Sequence, residues 1–234
     1  MKQLFSTLLS ISLATGLIAQ CNPYFDYNEG DYFEQTAYNK KGKEQSVQHI
    51  SIKSVEQKGS EVIYLAEATS NQGKEEFSFD MEILCEDGVL RINSQQLLNS
   101  VMQQGQTENL QMDFEGDPAG YPAEMTVGDK LENNTFKMTM KAGAEGFSMD
   151  IITNIEVTDR KVESKESITT PAGTFDCLKI TYKTTTSSEV MGMNNTQTSS
   201  GADYIAPRHG VIKSESFDEK GKLSSYSLLT KMSH

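Results

Sequence analysis

The chain has 234 residues, with 33 acidic against 21 basic side chains and a formal net charge of −12. That balance argues against nucleic acid or an anionic lipid surface as partner, because nothing in it resembles a basic footprint. The three cysteines, Cys21, Cys85 and Cys177, include no C-x-x-C pair, which argues against a zinc knuckle or a thioredoxin-type motif.

From the first residue, Met1-Lys2-Gln3-Leu4-Phe5 carries one positive charge ahead of an uncharged, largely apolar run that ends near Ala19. This is the pattern of a secretory signal, expected over residues 1–19, and it places the rest of the chain in the periplasm or outside the cell. The run is too short and too rich in Ser and Thr to remain as a span of about 20 apolar residues. Cleavage after Ala19 is preferred over acylation of Cys21, because Gln20 stands where a lipoprotein signal wants Gly, Ala or Ser. No second apolar stretch of spanning length follows, so no transmembrane span is expected in the mature chain.

Residues 20–234 read as a single β-rich domain. Turn signals recur at short intervals, among them Lys41-Gly42-Lys43, Lys58-Gly59-Ser60, Asp87-Gly88, Ala172-Gly173 and Lys220-Gly221-Lys222. Glycine accepts the positive φ of a hairpin turn, and alternating or β-branched runs lie between these points. The spacing predicts strands over 47–55, 62–69, 76–84, 135–140, 147–157, 175–185, 203–205, 211–217 and 224–229. Phe136, Met138 and Met140 share one face of their strand, and Phe147, Met149 and Ile151 share one face of the next. Each strand is therefore half-buried, as in a broad curved antiparallel sheet, a sandwich or a barrel. The length of the run at 147–157 favours the wide curved sheet.

One segment departs from the alternation. Ser94 to Gln103 sets Leu97, Leu98, Val101 and Met102 at helical spacing, with Ser94 placed to cap the first turn. A short amphipathic helix is expected there, as a plug at one end of the sheet or a lid over an apolar cavity. The stretch Asp117-Pro118-Ala119-Gly120-Tyr121-Pro122 is a loop by composition.

Chemistry is sparse. No G-x-S-x-G elbow, H-E-x-x-H or Walker loop is present, and the three histidines are isolated. Asp113, Glu115 and Asp117 alternate but do not match a calcium loop, so a solvated acidic loop is expected. No catalytic residue, metal or cofactor is expected. In an oxidising compartment one disulfide and one odd thiol are expected. Three pairings are open, with Cys21–Cys85 favoured because it would pin an N-terminal segment.

Several phrases stand together in order: Cys21-Asn22-Pro23-Tyr24-Phe25, Met125-Thr126-Val127-Gly128-Asp129, Thr170-Pro171-Ala172-Gly173-Thr174-Phe175-Asp176-Cys177, and Tyr204-Ile205-Ala206 with Gly210-Val211-Ile212-Lys213-Ser214-Glu215. Through them the chain resembles the TapB-like family of exported proteins of the Bacteroides–Flavobacterium type, over essentially its whole mature length. The resemblance implies no reaction. It implies an architecture similar to lipoprotein carriers of the LolA type, an incomplete β-barrel or broad antiparallel sheet with a helical cover.

The expected function is a non-enzymatic binding module for an apolar or lipid-like ligand. Phe136, Met138, Met140, Phe147, Met149 and Ile151 would line its site beneath Leu97, Leu98, Val101 and Met102. The alternative is a structural or interaction protein of the cell envelope, with a packed core, a protein partner and no ligand.

Overall fold

A computed structural model of the chain describes residues 21–72, 75–94, 110–116, 120–144 and 147–233. Among these residues thirteen strands form one antiparallel sheet. They are β1 (Tyr32–Asn39), β2 (Glu44–Lys58), β3 (Glu61–Gln72), β4 (Glu75–Glu86), β5 (Val89–Ile92), β6 (Leu110–Glu115), β7 (Tyr121–Pro122), β8 (Asn134–Ala144), β9 (Phe147–Thr170), β10 (Gly173–Val190), β11 (Met193–Ala206), β12 (Gly210–Phe217) and β13 (Leu223–Ser233). Their spatial order is β6-β8-β9-β10-β11-β12-β13-β1-β2-β3-β4-β5-β7, so β6 and β7 are the edges and the sheet is not closed. No described helix is long and apolar enough to cross a membrane. The helix expected at Leu97, Leu98, Val101 and Met102 lies outside the described residues.

Most neighbours are joined by tight turns where the sequence has its glycines, and the predicted strands fall inside longer observed ones. The largest extension is β9, expected to end at Val157 and observed to run to Thr170. Its second half, Asp-Arg-Lys-Val-Glu-Ser-Lys-Glu, is charged enough to read as loop. It stays extended because β10 pairs along nearly all of it. Asp159 takes a positive φ of 54°, and the β9–β10 register slips beside it, so the long hairpin bends at that point.

The core sits at the proximal end of the long strands. On β3, Val62, Tyr64, Ala66 and Ala68 are buried, and small Ala66 and Ala68 face the larger Met81 and Phe79 across the β3–β4 pair. On β10, Cys177, Leu178 and Ile180 are all buried, so both faces of that strand are covered. Distally the hairpin β10–β11 thins out, and β11 is exposed from Met193 to Thr198.

The sheet curls strongly. β7 and β11 stand eight pairing steps apart, which at about 4.8 Å per step would separate them by roughly 38 Å in a flat sheet. Yet the Tyr121 hydroxyl on β7 donates to Asp203 on β11 over 2.7 Å. Nearby, the segment after β7 runs along the bend of β9: Gly128 N–H donates to the Val162 carbonyl, and Leu131 N–H to the Arg160 carbonyl.

Cys21 and Cys85 are joined by a disulfide across a sequence separation of 64. Cys177 remains a free thiol, and burial pushes its pKa up to about 11. Serine at both Cys21 and Cys85 is expected to lower the unfolding free energy by about 2–5 kcal/mol. Urea denaturation of the oxidised wild type beside the double variant measures this, and equal midpoints would show that the bridge contributes nothing.

Candidate functional site

The residues just after Cys21 form a strap across the inner face of the curled sheet. Asn22 is fully buried and anchors it. Its side-chain amide donates to the carbonyls of Gly88 and Tyr121, both at 2.9 Å, while its Oδ1 accepts the Tyr24 N–H. Further along, the N–H groups of Arg208 and Gly210 donate to the carbonyls of Pro23 and Tyr24. Gly210 serves the strap in two ways. Its φ is +68°, and a Cβ there would stand 2.6 Å from the Tyr27 hydroxyl and 2.9 Å from the Phe25 ring. Only glycine lets the strap approach so closely.

Between strap and sheet lies an apolar cavity of about 210 Å³. Phe25 and Tyr27 form its roof; Phe33, Ile50, Met81, Ile83, Leu90 and Ile92 come from β1, β2, β4 and β5, and Val211 and Leu229 from β12 and β13. The aromatic rings pack among themselves, with centroids 4.8 Å apart for Tyr27–Phe33 and 5.7 Å for both Phe25–Tyr121 and Tyr27–Tyr64. Desolvation raises the pKa of Tyr27, and that of Tyr64 to about 12, so both phenols stay neutral at any physiological pH. Polar groups are few here: Gln35, whose amide donates to the Val211 carbonyl, Arg91, Tyr121 and His209.

Beside the cavity a buried polar cluster holds the curl. Asp203, 7% exposed, accepts from the hydroxyls of Ser214 at 2.6 Å, Tyr121 at 2.7 Å and Tyr182 at 3.5 Å. Tyr182 reaches it by lying over Gly201, where a Cβ would stand 2.5 Å from the ring. Arg160, also buried, donates to the carbonyls of Gly120 and Glu132 and sits 5.5 Å from the centroid of the Tyr121 ring. Burial raises the Asp203 pKa against the lowering effect of its hydrogen bonds, and burial lowers that of Arg160. The cluster is a satisfied structural network rather than a nucleophile with its base.

The outer face carries a separate charged network. Tyr204 is buried between Lys179 and Lys213, whose ammonium groups stand 5.4 and 5.0 Å from its ring centroid, and its hydroxyl donates to Glu215 at 2.9 Å. Thus the run from Tyr204 to Glu215 serves both faces, Ser214 on Asp203 and Lys213 on Tyr204.

Phe136, Met138 and Met140 lie on β8 and Ile151 on β9, all half-buried. The register sets Phe136 opposite Ile155 and Met140 opposite Ile151, and the Phe136 ring stacks on Phe114 at 4.9 Å. None of these residues lines the cavity. Phe147 and Met149 stand opposite Ala144 and Ala142 on the same strand pair. The cavity residues escaped the sequence reading, although two signals point to them. Phe25 and Tyr27 alternate just after a cysteine, and Asp203 is a lone acid inside Gly-Ala-Asp-Tyr-Ile-Ala, where a charge must be buried with partners.

Fold and site together define an open-sheet β protein with a strapped apolar cavity on its inner face. The family model described as DUF3108-like matches residues 28–229, and the chain belongs to that family. Two solved structures share the fold. One, from Bacteroides fragilis NCTC 9343, is described as an exported protein with a YmcC-like fold; it is 22% identical, with 92% of this chain and 100% of that chain covered at a TM-score of 0.68. The other, from Parabacteroides distasonis ATCC 8503, is described as a lipoprotein; it is 23% identical, with 91% and 99% covered at a TM-score of 0.69. No curated protein matches the chain.

The raised pKa of Asp203 has a definite sign in stability. The folded state keeps its proton to higher pH than the unfolded state, so unfolding free energy falls as pH rises from the ordinary aspartate range to Asp203's own pKa. Asp203→Asn removes that slope, and its stability relative to wild type is expected to rise with pH through the window and then level off. Asp203→Ala, which leaves three hydroxyls without their acceptor, is expected to lose about 1–3 kcal/mol relative to Asp203→Asn at every pH. Urea unfolding of the three proteins between pH 4 and 8 measures both effects; parallel wild-type and Asn curves would contradict the first.

Proposed function

We propose that this chain is an exported envelope protein, periplasmic or extracellular, whose strapped cavity shelters an apolar or lipid-like ligand without chemical conversion. The cavity carries the reading: about 210 Å³ lined almost wholly by aliphatic and aromatic side chains. Genuinely empty cavities of this kind stay dry and take apolar guests. Its size is below the 300–1,000 Å³ usual for drug-sized ligands. It equals about seven waters at ~30 Å³ each, room for one short tail or ring rather than a whole diacyl lipid.

Export is supported by the secretory pattern of residues 1–19 and by a disulfide that needs an oxidising compartment. The descriptions of the two neighbours, and the resemblance to TapB-like exported proteins, agree with it. The ligand is assigned to the cavity rather than to the half-buried Phe136–Met138–Met140 face because Phe25 and Tyr27 roof an apolar volume there.

Native mass spectrometry of protein purified from the envelope fraction, before and after organic extraction, tests the reading. The wild type is expected to carry an extractable adduct of a few hundred daltons. Ile50→Trp, which fills the cavity from a half-buried position, is expected to lose it while melting within a few degrees of wild type. A bare wild type that stays bare after incubation with alkyl ligands would favour a packed structural role in the envelope instead.

A further inference from the structure

Although the chain carries a net charge of −12, no carboxylate among the described residues lines the apolar cavity. The ionisable lining groups are Arg91, His209 and two tyrosines, Tyr27 and Tyr121. Tyr121 is committed to Asp203, and His209 stands edge-on to Phe175 at 5.2 Å. Arg91 differs from them. It is half-buried on β5, its stem runs against Gly120, where a Cβ would lie 3.1 Å from Arg91 Cγ, and its guanidinium has no ion-pair or hydrogen-bond partner among the described residues. Five N–H donors in a fixed fork suit a carboxylate or phosphate.

The position of Arg91 adds direction. It lines the apolar cavity and also an adjoining polar cleft of about 450 Å³, where Glu124, Asp129 and Glu132 stand with the cations Lys130 and Arg160. Arg160 is spent on the Glu132 and Gly120 carbonyls, so Arg91 is the uncommitted guanidinium at the boundary between an apolar and a wet compartment. That is the layout an amphiphile requires, tail on one side and head on the other. The volume limits the tail to one short chain.

We propose that the cavity binds a free single-chain anionic amphiphile, a medium-chain carboxylate, with its tail beneath Phe25 and Tyr27 and its head on Arg91. The proposal rests on the binding reading above and specifies its ligand. Once the tail occupies the cavity, the carboxylate replaces water at the guanidinium and gives Arg91 an anionic partner.

Isothermal titration of the full mature chain with decanoate, 1-decanol and decyltrimethylammonium, each below its micellar concentration at pH 7.5, tests it. Decanoate is expected to bind one to one, at least about tenfold tighter than decanol, with the cationic ligand weakest. Arg91→Gln is expected to abolish the preference for decanoate while leaving decanol affinity and melting temperature unchanged, and Arg91→Lys to retain part of it. Equal affinity for decanoate and decanol, or a preference that survives in Arg91→Gln, would overturn the head-group assignment while leaving apolar binding standing. Failure of all three ligands to bind would overturn both. Co-sedimentation with phosphatidylglycerol vesicles in the absence of decanoate binding would assign the same anionic chemistry to a membrane surface and overturn the free amphiphile.

Discussion

The hydrogen bond from Tyr121 to Asp203 is the contact on which the shape of this molecule depends. A sheet of thirteen strands with free edges has no backbone reason to stop at a given curvature. Strand twist alone supplies a tendency, and the usual outcomes are closure or splitting. Here β7 is only two residues long, too short to complete a barrel by ladder pairing. Side chains do the joining instead: Tyr121 reaches Asp203 on β11, and Arg160 on β9 reaches the Gly120 carbonyl next to Tyr121. An open sheet is thereby fixed at one radius, and the cavity is the space that radius leaves.

Such a clasp must itself be buried, and this explains its composition. A lone aspartate in that position would be strongly destabilising, so three hydroxyls converge on it, and a nearby guanidinium supplies charge without touching it. The strap depends on the same place, because Asn22 donates to the carbonyl of Tyr121 as well as to that of Gly88. Strap and clasp therefore converge on β5–β7, the edge of the sheet with the least backbone pairing among the described strands, and the disulfide ties the strap to the end of the neighbouring β4.

How much of this was legible beforehand follows from the range of each interaction. Hairpin turns at Gly59, Gly88, Gly173 and Gly221 and the alternation of β3, β4 and β12 are local, encoded within a few residues, and readable. The extension of β9 past Val157 was not, since its charges on Arg160, Lys161 and Glu163 argue for loop, and only pairing with β10 holds the segment extended. β1 was missed for a related reason: Glu34 and Thr36 are buried on a face that alternation treats as solvent, satisfied by Lys231 and Thr230 from the distant β13. The apolar faces of β8 and β9 were read from their pattern, but the pattern of a strand says nothing about which face the sheet will curl around. That depends on Tyr121 meeting Asp203 across 82 residues.

The sulfur of Cys21 joins the questions of anchoring and cavity. Acylation of a lipoprotein cysteine forms a thioether on that sulfur, and the same atom here is bonded to Cys85. The two bonds exclude one another, so the disulfide-bonded form carries no thioether-linked lipid at Cys21. What the bond does instead is structural. It ties the start of the strap to the end of β4, one residue before Asn22 enters its pocket and a few before Phe25 and Tyr27 cross the cavity. A tether at this cysteine would free the strap's first residue and, with it, the roof. The sulfur that a lipoprotein would acylate is bonded here to Cys85 and fixes the first residue of the strap that roofs the cavity.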